Sequence, residues 1–242
     1  MKTFDLPDLP DSFPTTRDHL HQIAFFAISP TRHKATGRMG LRHHDGGFGT
    51  PEFDGKVVRV EGGNLVAVIG DTPSAHPIST VREAIEFLGH EYEEEWYADF
   101  HDPLGPIHPD EKLDIDPASV QVLGEWFGFA WALLNELQTH GNEGDDVSEV
   151  QLWPEHFDAA TELGSYDAGE RASFGASPGD SAHAEPYTYV AAWSEIDRDN
   201  SYWNDTAFNG ASMSYSELQA ADDPVKAGLD FLLEGYRILH SG

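Results

Sequence analysis

Histidines, carboxylates and aromatic residues are densest between residues 150 and 193, where their types and spacing could do chemistry. Two segments carry them, LWPEHFD and SPGDSAHAEPY. If LWPEHFD is a strand, His156 and Asp158 lie two residues apart and project to one face. Imidazole nitrogens and carboxylate oxygens together suit a divalent metal ion. The predicted metal set is His156, Asp158, Asp180, His183 and Glu185.

The same residues also support a site without a metal. A histidine beside a carboxylate, here His156 with Asp158, can act as a general base with an orienting acid. Trp153, Tyr187 and Tyr189 would wall such a pocket and bind the ligand. Solvated loop charges are a third interpretation, because close spacings arise by chance among 13 histidines and 43 acidic residues. The sequence leaves these alternatives open.

Two further segments contribute candidate residues. Arg42 precedes a glycine-rich turn and is a candidate anchor for a substrate carboxylate or phosphate, so we group it with the catalytic residues. An arginine that neutralises part of an acidic surface is the alternative. Trp203 and Asn204 lie in a polar aromatic loop that could close over a pocket, where they suit recognition of a sugar or another polar ring.

The charge balance limits the classes of partner. With 14 basic and 43 acidic residues the net charge is −29. Such a field repels phosphate backbones and anionic membrane surfaces, so we expect neither nucleic acid nor membrane as partner. Small molecules, cations and basic proteins remain. Many carboxylates with few lysines are typical of proteins adapted to high salt, and an ordinary acidic protein is the alternative.

Cysteine is absent, which excludes disulfides, thiolate metal sites and a cysteine nucleophile. The N-terminal sequence MKTFDLPDLPDSFP has no apolar run of signal-peptide length, and nowhere do 18 apolar residues follow one another. We therefore expect a soluble, cytoplasmic protein whose first residues form an extended arm.

Hydrophobic spacing predicts a mixture of helices and strands. KVVRV and NLVAVIG flank two glycines in the pattern of a hairpin. The predicted helices are one from Thr15 that Pro30 kinks or ends, one that begins at Ser79 or Thr80 and stops at Gly89, a long apolar helix over about 117–137, and a last helix over about 223–240.

These elements predict an α+β fold of two helix-plus-antiparallel-sheet halves, pseudo-symmetric in element order, packed around the central apolar helix. We expect one compact domain over residues 1–242. A subdivision into 15–90 and 117–242 is the alternative, with 91–116 as a crossing segment, because prolines and acidic residues interrupt regular structure there.

The motifs LWPEHFD, SFGASPGD and HAEPYTYVAAW resemble a family of uncharacterised soluble acidic bacterial and archaeal proteins. The resemblance implies no activity and no catalytic residue. From the residues themselves we expect a small-molecule-binding protein with a His/carboxylate pocket walled by aromatic residues, with metal-dependent catalysis as one form of it. The alternative is a non-catalytic acidic protein that binds a basic partner.

Overall fold

The computed structural model describes residues 4–93 and 104–241, so part of the predicted crossing segment lies outside the described residues. The chain forms two compact units. The N-terminal unit comprises Asp8–Glu125 and Leu152–Phe157, and the C-terminal unit comprises Met1–Pro7, Trp126–Gln151 and Asp158–Gly242.

The N-terminal unit opens with a long helical run. Helix α1 spans Phe13–Ile23, a π-helical segment follows over Ala24–Ile28, and α2 spans Ser29–Thr36. Proline has no N–H to donate to the helical hydrogen bonds. Just before Pro30 these bonds change from the α-helical to the π-helical spacing, because the Ser29 N–H bonds to the Ala24 carbonyl five residues earlier. The proline therefore neither ends nor breaks this run, which continues to a left-handed Gly37.

The first sheet is a five-stranded antiparallel meander whose strands lie side by side in chain order. The predicted hairpin is confirmed, because Glu61 pairs with Asn64 around two glycines with positive φ. Helix α3 then spans Val81–Phe87, and the Thr80 side chain caps it by accepting from the Glu83 N–H. The strands are β1 Arg42–His44, β2 Gly47–Gly49, β3 Lys56–Glu61, β4 Asn64–Ile69 and β5 Thr72–Pro77.

The long apolar helix, α4, spans Pro117–Gln138 and confirms the prediction from its spacing. Its first turns belong to the N-terminal unit and the rest to the C-terminal unit. A glycine is required in its third turn, because a Cβ on Gly124 would lie 2.6 Å from the Gly47 nitrogen. The glycines predicted as a tight turn therefore also allow this helix to approach the first sheet.

The second sheet is also a five-stranded antiparallel meander, in the order β6-β7-β8-β9-β10. Its strands are β6 Gln151–Trp153, β7 Asp158–Leu163, β8 Ala172–Ser177, β9 Tyr187–Ala192 and β10 Gly210–Ser214. Helices α5, Tyr215–Gln219, and α6, Pro224–Leu239, follow. One face carries Phe174 and Val190 and packs on α6, while the strand register places Asp158, Tyr187 and Tyr189 on the other.

The interpretation of LWPEHFD as one strand is wrong. The chain turns between β6 and β7, and Phe157 adopts a positive φ of 55°. Burial explains this turn, since the Phe157 ring is 1% exposed, stacks on His21 and meets Phe48 edge-on. As a result His156 is exposed within a turn while Asp158 is buried at the start of β7, and the two do not share a strand face.

The α+β class is confirmed, with two antiparallel five-stranded sheets. Each meander is preceded and followed by helices, so the two halves share one element order, as the pseudo-symmetric prediction requires. Within residues 4–93 and 104–241, no helix combines the length and apolar character needed to cross a membrane.

Candidate metal centre

Three separate segments of the C-terminal unit converge on one group of ligand atoms. Asp145 lies between α4 and β6, Glu170 lies in the β7–β8 loop, and His240 caps the C-terminus of α6. Their ligand atoms all lie within 4.8 Å of one another. The His240 Nε2 is 3.2 Å from the Asp145 Oδ1 and 3.6 Å from the Glu170 Oε2.

Asp145 is fixed in orientation by donors on one of its two oxygens. The Tyr236 hydroxyl donates to the Asp145 Oδ2 at 2.6 Å, and the Asn142 N–H lies 2.8 Å from the same oxygen. The Asp145 side chain is 3% exposed. With Oδ2 engaged in this way, Oδ1 is the oxygen that faces His240.

His240 is oriented by the helix that carries it. Its Nδ1 lies 2.8 Å from the Tyr236 carbonyl oxygen, one turn earlier on α6. A carbonyl oxygen only accepts hydrogen bonds, so Nδ1 carries a proton and donates it there. This leaves Nε2 as the nitrogen directed at Asp145 and Glu170. Metal-binding histidines are commonly oriented by such a bond from the other ring nitrogen.

Glu170 is held by the fold of its loop. Its N–H bonds to the Ser165 carbonyl at 3.0 Å, and the turn depends on Gly164, where a Cβ would lie 2.4 Å from the Glu170 carbonyl oxygen. The Glu170 side chain is 28% exposed, compared with 13% for His240. Of the three ligand side chains, Glu170 is therefore the one most open to solvent.

Burial and hydrogen bonds together set the charge states of Asp145 and Tyr236. Burial raises the pKa of Asp145, but the hydrogen bonds from the Tyr236 hydroxyl and the Asn142 N–H lead the interactions that outweigh burial and lower its pKa below the ordinary value. Burial, together with the bond to Asp145, raises the pKa of Tyr236 to about 12. At neutral pH Asp145 is thus an anion and Tyr236 is a neutral donor.

The structure brings five of the predicted residues together at another place in the C-terminal unit. The Tyr187 hydroxyl donates to the Asp180 Oδ2 at 2.7 Å, and the Tyr189 hydroxyl donates to Asp158. The rings of Tyr187 and Tyr189 lie 5.9 Å apart, and His183 lies 4.1 Å from Tyr187. Asp158, Asp180, His183, Tyr187 and Tyr189 thus form one network on the polar face of the second sheet.

His183 contacts a carboxylate with each of its two ring nitrogens. The His183 Nδ1 lies 3.3 Å from Asp180, whereas its Nε2 lies 2.9 Å from Asp205, so the two nitrogens face different carboxylates. Burial raises the pKa of Asp180, yet bonds from Tyr187 and from two backbone N–H groups lower it overall. Among the described residues, the group whose ligand atoms all lie within 4.8 Å of one another is Asp145, Glu170 and His240. Metal binding by the predicted set stays a prediction.

Three other predicted residues make other contacts within the C-terminal unit. Glu185 accepts from the Ser216 hydroxyl at 2.7 Å. The Trp203 side chain is buried and packs on Tyr202, and Asn204 bonds twice to the backbone of Ser212 in β10. Arg42, Trp153 and His156 belong to the N-terminal unit. Their roles in ligand binding or catalysis stay predictions.

Few features of the sequence indicate the convergent group. The segment that contains Asp145 reads as a helix break, and Glu170 and His240 are distant from it along the chain. One local signal exists: Tyr236 and His240 are four residues apart on a helix, which places them on one face. No spacing rule could join that face to two separate loops.

Comparison of the chain with models of protein families, with curated proteins and with solved structures gives no match. The resemblance of LWPEHFD and SPGDSAHAEPY to an uncharacterised family stays a prediction.

Proposed function

We propose that this protein binds a divalent transition-metal ion through Asp145, Glu170 and His240. The observation that supports this most is the direction of the His240 Nε2, which faces two carboxylates while Nδ1 donates to a carbonyl. A nitrogen lone pair and two carboxylates repel one another unless a positive charge lies between them. A proton on Nε2 or a metal ion supplies that charge.

The ligand types favour zinc or a similar ion. One imidazole nitrogen and two carboxylate oxygens form a mixed donor set, whereas calcium and magnesium sites are built from oxygens. Three protein ligands are the number found in catalytic zinc sites, in which water or substrate occupies the fourth position. The most exposed ligand, Glu170, marks the side from which a small molecule would approach.

We propose this site as the centre of the expected small-molecule-binding, metal-dependent enzyme. A bound zinc ion would lower the pKa of a water molecule and supply a nucleophile near neutral pH. Binding of a basic partner by the surface charge of −29 is a separate function that needs no convergent ligands. A cytoplasmic location stays a prediction.

The test is calorimetry with zinc on chelator-treated protein and on two histidine variants. We expect one zinc ion per chain, and at least a hundredfold weaker binding by His240→Ala. His183→Ala is the matched control, because His183 also contacts two carboxylates of the same unit but lies outside the convergent group. Circular dichroism verifies that both variants fold.

Two outcomes would contradict the proposal. Absence of zinc binding by the unmodified protein would remove the metal centre. Loss of zinc binding in His183→Ala, with zinc binding retained in His240→Ala, would instead indicate that zinc binds at the polar network. Replacement of zinc by manganese or nickel in the same titration then ranks the metals by affinity.

A further inference from the structure

Four large hydrophobic side chains are exposed among the described residues, and three of them lie in the C-terminal unit. Tyr166 is 66% exposed, and Val147 and Trp193 are each 50% exposed. The fourth, Ile69, ends β4 in the N-terminal unit. Exposed apolar side chains are ordinary when they are scattered singly, whereas a group of them marks an interaction site. We call Val147, Tyr166 and Trp193 the apolar patch.

Arg171 is the residue around which the three segments of the apolar patch meet. Its guanidinium lies 5.1 Å from the centre of the Trp193 ring, and the ring centroids of Trp193 and Tyr166 lie 6.2 Å apart. The same guanidinium donates to the carbonyl of Asp146 at 3.2 Å, in the residue before Val147. The three exposed side chains therefore surround one arginine and are not scattered singly.

Hydrogen bonds hold Trp193 in place before any partner binds. Its backbone N–H bonds to the Arg171 carbonyl at 3.0 Å, and its indole N–H donates to the Ser173 Oγ at 3.1 Å. Both the backbone and the ring of Trp193 are thus fastened to β8 and the residue before it. A side chain that is already ordered loses little conformational freedom on binding, which favours affinity.

Tyr166 lies in a loop that is bonded to itself and to the segment of Trp193. The Gly169 N–H bonds to the Tyr166 carbonyl at 3.0 Å. The Ser194 hydroxyl donates to the Gly169 carbonyl at 2.7 Å, and Ser194 directly follows Trp193. Hydrogen bonds therefore connect the backbones that carry the two exposed rings.

The positive charge of Arg171 is directed at acceptors of the protein itself. Its guanidinium forms an ion pair with Glu162 and donates to the carbonyls of Gly164 and Asp146. The Arg171 side chain is 14% exposed. This arginine therefore supports the Trp193 ring and offers little positive charge to an anionic partner.

The segments that carry the apolar patch are strongly acidic. They contain ten carboxylate side chains and two arginines, in residues 143–149, 162–171 and 193–199. The second arginine, Arg198, is also engaged, because it donates to the carbonyls of Asp205 and Phe208 at 2.6 Å and 3.1 Å. Asp167 and Glu195, by contrast, are exposed. A partner that reaches the exposed rings therefore meets negative charge around them.

This combination favours a cationic partner that is partly apolar. A lysine or arginine side chain offers an apolar stem to the rings and a positive charge to the ring faces and the carboxylates. Nucleic acid and anionic membranes are repelled by the same field. A sugar ring fits less well, because stacking on both rings needs a flat platform and the planes of Tyr166 and Trp193 are inclined at 81°.

We infer that the apolar patch of Val147, Tyr166 and Trp193 is a docking surface for a basic segment of a partner protein. Lysine or arginine side chains of that segment stack on the two rings, and the surrounding carboxylates supply the complementary charge. The inference goes beyond the proposed metal centre and is independent of it, because none of the three patch residues is a proposed metal ligand.

Fluorescence anisotropy with a labelled peptide of alternating arginine and leucine residues tests this surface in the full chain. A second peptide, with glutamate in place of every arginine, is the charge control. We expect only the arginine peptide to bind, and more weakly as the salt concentration rises. A metal chelator is present throughout, so failure of this inference and failure of the metal centre are distinguishable.

Uncharged substitutions separate docking at the patch from attraction by the net charge, which stays at −29. We expect Trp193→Ala and Tyr166→Ala each to weaken binding of the arginine peptide about tenfold or more. Tyr166→Phe keeps the ring and should retain the affinity. Ile69→Ala is the matched control, because it removes an exposed apolar side chain from the other unit and should bind as the unmodified protein does. Circular dichroism verifies that the variants fold.

Four outcomes would overturn the inference. The arginine peptide does not bind, or it binds both alanine variants of the patch as tightly as the unmodified protein, which would assign the attraction to net charge alone. Binding of cellohexaose that is lost in Trp193→Ala, without binding of the peptide, would assign the patch to a sugar. A dimer that is lost in Trp193→Ala, detected by analytical ultracentrifugation, would assign the patch to a second copy of this chain.

Discussion

Replacement of Tyr236 by phenylalanine separates a metal-orienting role from a merely structural one. The substitution removes the hydroxyl that donates to the Asp145 Oδ2 at 2.6 Å, while the Asn142 N–H at 2.8 Å remains. The phenyl ring retains its packing on His240, at 4.0 Å between centroids. The change therefore removes two hydrogen bonds behind a proposed metal ligand, the one to Asp145 and one that the hydroxyl accepts from the Asn142 N–H at 2.9 Å.

The magnitude follows from that geometry. Loss of a partner that orients a metal ligand costs about 10- to 100-fold in metal affinity, or about 1.4–2.7 kcal/mol. Without metal, a buried Asp145 that loses one of its donors destabilises the fold by about 1–3 kcal/mol. Zinc at a hundredfold excess over its Kd stabilises the folded protein by about 2.7 kcal/mol. A tenfold weaker site halves that gain to about 1.4 kcal/mol at the same zinc concentration.

Tyr202→Phe is the matched control. The Tyr202 hydroxyl donates to the Phe231 carbonyl at 2.9 Å, in the same unit and to the same helix α6. Its loss costs about 0.5–1.5 kcal/mol of stability and leaves Asp145 unchanged. Competition with a chromophoric zinc chelator measures affinity, and urea unfolding with and without zinc measures stability. Zinc binding by Tyr236→Phe that is as tight as zinc binding by Tyr202→Phe would refute the orienting role of Tyr236.

Two further predictions concern how the two units are built. Burial lowers the pKa of His21 from 6.5 to about 4, so the unfolded chain binds more protons between these values and the free energy of unfolding falls as pH drops through them. Between pH 7.5 and pH 5 we expect His21 to lower the free energy of unfolding by about 2 kcal/mol, measured by urea unfolding, and His21→Phe should lack this loss. An equal pH dependence of the free energy of unfolding in both proteins would contradict the lowered pKa. In the polar network, a Cβ on Gly175 would lie 2.4 Å from the Tyr189 ring, so Gly175→Ala should cost about 3–5 kcal/mol through overpacking and loss of the bond to Asp158. In a Tyr189→Ala background, Gly175→Ala should lower the free energy of unfolding by less than about 1 kcal/mol. Equal losses in the two backgrounds, measured by urea unfolding, would contradict the steric role of the Tyr189 ring.

Several elements could be predicted because local information fixes them. The hairpin of β3 and β4 follows from β-branched residues on either side of Gly62 and Gly63, which supply the positive φ that its turn needs. Helix α4 follows from apolar residues at helical spacing and a proline in its first turn. The charge of −29 and the absence of cysteine also follow from composition, and they limit the ligand chemistry to histidine and carboxylate.

The polar network was predicted in part. Asp180, His183 and Tyr187 do meet, because a turn brings them together over a few residues. The hydrogen bonds that these side chains make were not predictable from residue type. The tyrosines expected as pocket walls direct their hydroxyls at Asp158 and Asp180, and each bond occupies one oxygen of its carboxylate.

Tertiary packing alone decided where the ligand atoms converge. His156 lies in a turn and Asp158 in a strand because burial of the Phe157 ring forces the chain to turn between them. The two-residue spacing of His156 and Asp158 does not reveal that burial. Asp145, Glu170 and His240 meet because α6 packs on the second sheet and its last turn reaches two loops. The sequence by itself determined which side chains were present and which elements would carry them. Side-chain direction across distant segments depends on packing, and so the site could be recognised only in the folded chain.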